Sequence, residues 1–178
     1  MAKTYTSVPN VATGDVYTAS TYNTMTAQNM NNHRVPTMCS LYRNAALSHT
    51  STGNYQSVAW DTEHFTQTDS GMWSAGTNPS RITLTTAGVY FVTATLSTGT
   101  SASGIRTPAI YKNGAAEAYG DSSPANAVIN FLNVAALVQS NGTDYVEVFV
   151  YQDSGGNVAY QVNAARMRFS VIWLGQVS

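Results

Sequence analysis

Charged side chains are scarce in this chain. Asp, Glu, Lys and Arg make up 10% of its 178 residues, against about 25% in an ordinary soluble domain. The surface must therefore be covered by Ser, Thr and Asn, or part of it must be hidden against other subunits. Net charge is -1, and the eight Lys and Arg are scattered from Lys3 to Arg168. No basic stripe exists to neutralise phosphates, which excludes the electrostatic footprint of a nucleic-acid binder. Cysteine is nearly absent: Cys39 stands alone, so there is no intrachain disulfide, and no local signature supplies it with catalytic partners. It reads as a small buried hydrophobe. No apolar run approaches the ~20 residues that span a bilayer, so no membrane partner is expected. After Met1-Ala2-Lys3 the chain reads Thr-Tyr-Thr-Ser, with no apolar stretch of the kind a secretory signal peptide carries.

Catalytic constellations are missing as well. His33, His49 and His64 are too far apart in sequence for a local metal motif. In Asp61-Thr62-Glu63-His64-Phe65, a strand puts Asp61 and Glu63 on one face and His64 on the other, so three ligands would not converge. Asp144 and Glu147 fall on opposite faces of a regular strand, against a paired-carboxylate hydrolase. There is no Gly-x-Ser-x-Gly, no phosphate-cradling loop and no Cys-x-x-Cys. Asn141-Gly142-Thr143 fits an N-glycosylation pattern and reads here as a turn. The sequence thus predicts no catalytic residue, no metal, no cofactor and no enzyme activity.

What is abundant is aromatic side chain and short alternating pattern. From about Thr37 the segments "MCSLYRNA", "YQSVAWDTEHF", "GMWSAG", "SRITLTTAG", "VYFVTATLS", "IRTPAIYKNG", "AVINFLNVAALVQ", "DYVEVFVYQ", "NVAYQVNA" and "RMRFSVIWLG" are rich in β-branched and aromatic residues and read as strands. Asn113-Gly114 and Asn141-Gly142 are dipeptides that favour tight hairpin turns, and Asp153 to Asn157 supplies a looser connection. Strands at such spacing with little helix between them predict an all-β, two-sheet antiparallel sandwich. In "ITLTTAGVYFVTATL", Tyr90, Val92, Ala94 and Leu96 share one face, and Val89, Phe91, Thr93 and Thr95 the other. Gly88 marks a bend where a side chain would clash.

Residues 1–40 differ. Pro and Gly punctuation gives way to "TASTYNTMTAQNMNNHR", a short helix capped by Thr18 or Ser20, with Tyr22, Met25, Asn29 and Met30 recurring near helical spacing. Pro36 ends it. The apolar stripe is thin, so such a helix needs a packing partner. The expected organisation is an arm over 1–40 and a sandwich domain over 41–178.

The order of features resembles a known family. Trp60-Asp61 comes first, then "GMWSAG", then a strand through Gly88-Val89-Tyr90-Phe91, the Lys112-Asn113-Gly114 turn, "DYVEVFVY" and the closing "MRFSVIWLG". Over about residues 44–175 this is similar to the complement globular-head and tumour-necrosis-factor-like jelly rolls. The resemblance implies a ten-stranded jelly roll assembling as a homotrimer, with one sheet toward the threefold axis. It also implies that the "VYFVTATL", "DYVEVFVY" and "RFSVIWL" strands share that sheet. Tyr90, Phe91, Phe149, Tyr151, Phe169 and Trp173 are then candidates for core or trimer interface, the face of each being open because one residue of register exchanges them. Some family members hold calcium with loop carboxylates, for which Asp121 and Asp153 would be the candidates.

The opening "ATGDVYTASTYNTMTAQNMNNH" resembles a segment that begins many tailed-phage virion proteins, matching at Gly14-Asp15, Thr18-Ala19-Ser20 and Asn23. The collagen stalk of the animal complement proteins is absent, with no Gly-X-Y period. The two resemblances together imply a trimeric capsid decoration or cement knob on a phage head. Tyr17, Tyr22, Met25 and Met30 would attach it to the major capsid protein or another virion protein. The expected location is the virion surface, after assembly in the host cytoplasm. The alternative is a tail- or head-fibre tip binding a host-surface glycan through a loop bearing Tyr119 and Asp121.

Overall fold

Short polar turns cut the chain after Pro36 into strands, and period-two alternation decides which face each strand turns inward. The computed structural model describes residues 18–50, 53–126 and 128–176. Helix α1 (Ala19–Arg34) precedes β1 (Met38–Tyr42), β2 (Ser48–His49), β3 (Gln56–Ser57), β4 (Thr62–Phe65), β5 (Arg81–Thr83), β6 (Ala87–Thr98) and β7 (Ser101–Lys112). Then follow β8 (Ala115–Tyr119), β9 (Ser123–Asn126), β10 (Asn130–Asn141), β11 (Tyr145–Gln152), β12 (Val158–Ala159) and β13 (Arg168–Gly175). At the start of α1, Thr18 Oγ1 accepts from the Thr21 N–H at 3.2 Å, so Thr18 is the cap.

One sheet has five strands in the order β10-β6-β13-β1-β4. The other has six: β3-β11-β7-β8, with β5 also on β11 and β9 on β7. A small β12–β2 pair closes one corner. All these pairings are antiparallel. This is the jelly-roll sandwich expected from the alternation. The core lies between the sheets: Leu41, Tyr90, Val92, Leu96, Leu132, Phe169 and Val171 from one meet Ile110, Val146, Val148 and Val150 from the other. Each such side chain contributes about 1.5–3 kcal/mol on burial. Trp60 lies against Phe169 with ring centroids 5.6 Å apart.

Four sequence-based expectations change. First, β11 does not share a sheet with β6 and β13; it pairs with β7 in the opposite sheet. Alternation reports which face is buried but not which sheet a strand joins. Second, Asn141-Gly142 is not a two-residue hairpin. It is a corner that carries the chain from β10 in one sheet to β11 in the other. Only Gly142 has positive φ there, and Asn141 Oδ1 accepts from the Thr143 N–H at 2.8 Å. Asn113-Gly114 is the hairpin, with φ of 51° and 81° joining β7 to β8. Third, "GMWSAG" forms turns rather than a strand. Met72 and Trp73 are nonetheless buried, and the Trp73 indole N–H donates to the Pro79 carbonyl at 3.0 Å. "YQSVAWDTEHF" likewise divides into β3 and β4, which lie in different sheets.

Gly88 sits inside β6 with φ 136°, a conformation that side-chain-bearing residues rarely adopt. A Cβ there would run into the Gly175 carbonyl and the Trp173 indole nitrogen. The same indole donates to the Ala87 carbonyl at 3.0 Å. Tyr90, fully buried, donates its hydroxyl to the Thr86 carbonyl at 3.0 Å and accepts from the Thr86 N–H at 3.1 Å. Burial pushes the Tyr90 phenol up to about 12, against the opposing pull of those Thr86 hydrogen bonds. The bend at Gly88 is therefore where β13 closes onto β6 and where two large aromatics anchor the strand.

Candidate functional site

Because side chains alternate, each sheet has a second face turned away from the core, and the two outward faces differ in chemistry. On the five-stranded sheet, Leu137 lies opposite Phe91, Phe91 opposite Ile172, and Ile172 opposite Met38. The result is one apolar row across β10, β6, β13 and β1. Phe91 is 40% exposed and Leu137 65%. Phe65, Phe131 and Leu174 are further exposed apolar residues of this sheet. A shallow depression of about 230 Å³ is lined by Met38, Phe65, Phe91 and Ile172, with His64 and Arg168 also in its lining.

Moving along the strands, the face grows polar. Ser40 and Ser170 pair hydroxyl to hydroxyl at 2.7 Å, and Thr93 is registered opposite Ser170. Thr95 then donates to Asn133 Oδ1 at 2.9 Å, and Arg168 Nη2 lies 3.1 Å from His64 Nε2.

On the six-stranded sheet the outward face is built of tyrosines. Tyr55 stands with its ring centroid 5.6 Å from those of Tyr119 and Tyr151 and 6.0 Å from Tyr111. Tyr111 stacks on Phe149 at 4.2 Å. Beside them, Glu147 accepts from Ser80 Oγ at 2.7 Å and pairs with Arg81 at 3.3 Å. The Arg81 guanidinium sits 4.1 Å over the Tyr145 ring.

The residues singled out in the sequence thus part company. Tyr90, Phe169 and Trp173 lie in the core, Phe91 on the outward face of the five-stranded sheet, and Phe149 and Tyr151 on the other outward face. Tyr22 and Met30 project from α1 and are 62% and 60% exposed. Tyr17 and the side chain of Met25 lie outside the described residues. Tyr119 is 60% exposed at the end of β8, and Asp121 follows it in an exposed loop. Asp153 Oδ1 accepts from the Ile105 N–H at 2.6 Å, and Oδ2 from the Tyr151 hydroxyl at 3.3 Å.

Among the described residues no three His, Cys, Asp or Glu side chains converge as metal ligands. Asp61 braces the chain instead, accepting from the Asn44 and Ala45 N–H groups at 2.9 and 2.7 Å. Burial alone would raise its carboxyl, but those bonds, one from Thr62 and the Arg43 charge together hold it below the usual range. Asp144 caps the Asn113 turn, accepting from Asn113 Nδ2 at 2.6 Å. Glu147 is occupied by Ser80 and Arg81, so Asp144 and Glu147 form no joint site.

Sequence reasoning missed Tyr55, which reaches the tyrosine face only because β3 pairs with β11 across a long stretch of chain. It also missed Arg106, fully buried between the sheets. Arg106 donates from Nη2 to the Ser103 carbonyl at 3.1 Å, with no partner for Nε or Nη1 among the described residues. No local signal marks either residue.

The architecture is that of the tumour-necrosis-factor and complement globular-head jelly rolls. The chain superposes on the TNF protein Eiger of S. frugiperda with TM-score 0.61 and 10% identity, covering 81% of this chain and 96% of that one. For murine APRIL the figures are TM-score 0.61, 9% identity, 79% and 100%. For the globular domain of zebrafish complement 1qA they are 0.55, 13%, 80% and 100%. At these identities the likeness defines the fold. No family model matches the sequence, and no curated protein matches it.

Proposed function

We propose that this protein is a structural, non-catalytic virion component of a tailed phage: a homotrimeric knob that decorates or cements the capsid surface. The observation that carries the trimer is the row Leu137–Phe91–Ile172–Met38. An apolar row crossing four of the five strands, built of Leu, Phe, Ile and Met with no polar tips, is costly to leave in water and marks an interface. The resemblance implies one sheet turned toward a threefold axis, and β6 and β13, two of the three strands it placed there, lie in this sheet. The polar end of that face, with Ser170, Thr95 and Arg168, would sit at one end of the axis. The virion role draws its support from the phage-like opening at Gly14-Asp15 and Thr18-Ala19-Ser20 and from the exposure of Tyr22 and Met30 on α1. The arm expected over residues 1–40 stops short of β1, which begins at Met38 inside the five-stranded sheet; residues 1–36 then serve as the attachment arm to the major capsid protein or another virion protein, with the chain from β1 onward as the trimerising domain.

The test is sedimentation of the full chain and of a truncate lacking residues 1–36, followed by particle binding. The full chain should sediment as a trimer and decorate particles, and the truncate should trimerise without decorating. A monomer removes the trimer reading; normal decoration by the truncate removes the arm. A second reading, a fibre-tip module that binds a host-surface glycan, is favoured by Tyr119, exposed beside Tyr55 on the face opposite the proposed trimer contact.

A further inference from the structure

The tyrosine face holds a shallow, open cleft of about 460 Å³, lined by Tyr55, Tyr119, Tyr151, Ile105, Thr107 and Ser122. Its size falls in the ~300–1,000 Å³ range of small-molecule sites, and it combines aromatic walls with a few convergent polar groups as such sites do. Thr107 and Ser122 pair hydroxyl to hydroxyl at 2.7 Å at one side. Tyr151 donates to Asp153 at 3.3 Å at another. The aromatic surfaces are open, with Tyr119 60% exposed.

We propose that this cleft binds an uncharged saccharide, a sugar ring packing on Tyr119 and Tyr55 while its hydroxyls meet the Thr107–Ser122 and Tyr151–Asp153 pairs. Charge excludes an anionic ligand: no Lys or Arg lines the cleft, and Asp153 would repel a carboxylate or phosphate. Geometry disfavours a flat aromatic ligand. Tyr55 is tilted 49° to Tyr119 and 48° to Tyr151, so a flat ligand stacked on Tyr55 cannot also lie parallel to either neighbour. A pyranose is puckered, with an apolar C–H face and a rim of hydroxyls that both donate and accept. Tyr, Ser and Thr hydroxyls do the same, and an aromatic body with a polar tip suits a wet, reversible contact. Burial and neighbouring tyrosines raise the Tyr55 phenol, and burial and Asp153 raise that of Tyr151, so both stay neutral donors at neutral pH.

The site is pre-formed on sheet elements. Gly120 N–H donates to the Pro108 carbonyl at 2.8 Å, and a Cβ on Gly120 would strike the Asn133 carbonyl. That close approach fixes the end of β8 and with it Tyr119.

The proposal deepens the receptor-binding reading and does not depend on the capsid role. The experiment uses the purified full chain on an array of neutral glycans beside their sialylated and sulfated counterparts, followed by titration calorimetry with the best neutral binder. The expected result is binding within the neutral set. Tyr119→Ala and Tyr55→Ala should each weaken it roughly tenfold or more, Tyr119→Phe should stay within about threefold, and Tyr22→Ala should change nothing. Circular dichroism and sedimentation verify that each variant keeps its fold and assembly. The proposal fails if the folded protein binds no neutral glycan or if Tyr119→Ala binds as tightly as the parent. It also fails if Tyr119→Ala alters the oligomeric state, which would make this face a subunit contact. Saccharide binding that leaves host adsorption unaffected when the same sugar is added would uphold the site and remove the receptor-binding reading.

Discussion

The two outward sheet faces of this sandwich have the same pleat and the same burial logic, yet one is mostly phenylalanine and the other mostly tyrosine, with Tyr42 and Phe149 the respective exceptions. The five-stranded face presents Phe65, Phe91 and Phe131 with Leu137 and Ile172. The six-stranded face presents Tyr55, Tyr111, Tyr119 and Tyr151. A phenylalanine gains only by leaving water, so its face calls for permanent cover by protein. A tyrosine keeps a hydroxyl for water or for a ligand, so its face tolerates exposure and exchange. In the function proposed above, the difference separates assembly from recognition within one fold.

The largest effect expected from breaking this contrast comes from Phe91→Asp. A charge at the centre of the apolar row should abolish trimer formation at micromolar concentrations while leaving the monomer folded, as read by sedimentation and circular dichroism. Tyr119→Asp should leave assembly intact. A trimer that survives Phe91→Asp would overturn the assignment of the two faces.

Gly88→Ala follows. The Cβ meets the Gly175 carbonyl and the Trp173 indole at a φ of 136°. Strain of this kind costs about 1–3 kcal/mol, and displacing Trp173 adds to it. Chemical denaturation should show a loss of at least about 2 kcal/mol. A neutral result would mean that β13 can shift away from β6, and the apolar row would then lack a fixed register.

Alkaline titration compares the tyrosine populations directly. Tyr90 is pushed up to about 12 from an ordinary 10, so the stability from its neutral form is complete below pH 10 and is lost as pH rises through about 12. The Cys39 thiol, raised by burial and the Glu63 charge to about 12, acts in the same direction from 9 upward. Ultraviolet titration should show Tyr111 and Tyr151 ionising reversibly, above the usual phenol range, before a cooperative step in which the buried Tyr90 ionises together with unfolding. Ionisation of every tyrosine in one reversible step would contradict the packing around Tyr90.

At the acid end, burial lowers His49, opposed by a backbone hydrogen bond at Ser57, and its Nδ1 lies 3.1 Å from the Tyr160 hydroxyl. Its neutral form is favoured by folding, so this contribution is complete above pH 6.5 and is lost as pH falls below it. A modest drop in melting temperature between pH 7 and 5, absent in His49→Gln, would check this. The smallest effect is on stability from Tyr119→Ala, within about 0.5 kcal/mol as for exposed positions generally. A larger loss would mark Tyr119 as part of the scaffold rather than of the cleft.

Much of the scaffold was legible in the sequence because alternation is a local signal. Tyr90, Val92, Ala94 and Leu96 turn inward as their spacing requires, and Thr18 caps α1 as its hydroxyl allows. Gly88 announced a close approach before its neighbours were known. Sheet membership was not legible. β11 was expected beside β6 and β13, yet the Asn141-Gly142 corner sends it to the other sheet. Of the candidate cleft, only Tyr119 was legible as a receptor residue; Asp121, expected beside it, does not line the cleft. Tyr55 and Tyr151 join Tyr119 through pairings between strands distant in the chain.

The sequence by itself determined that this is an all-β sandwich with few charges, a polar surface and aromatic residues beyond what a core requires. Which aromatics fill the core and which stand on an outward face was decided only by the tertiary structure. The reason is physical: the period of two sorts residues into two faces, but only long-range strand pairing gives those faces their neighbours. That pairing left phenylalanines on one outward face and set Tyr55, Tyr119 and Tyr151 around a cleft on the other.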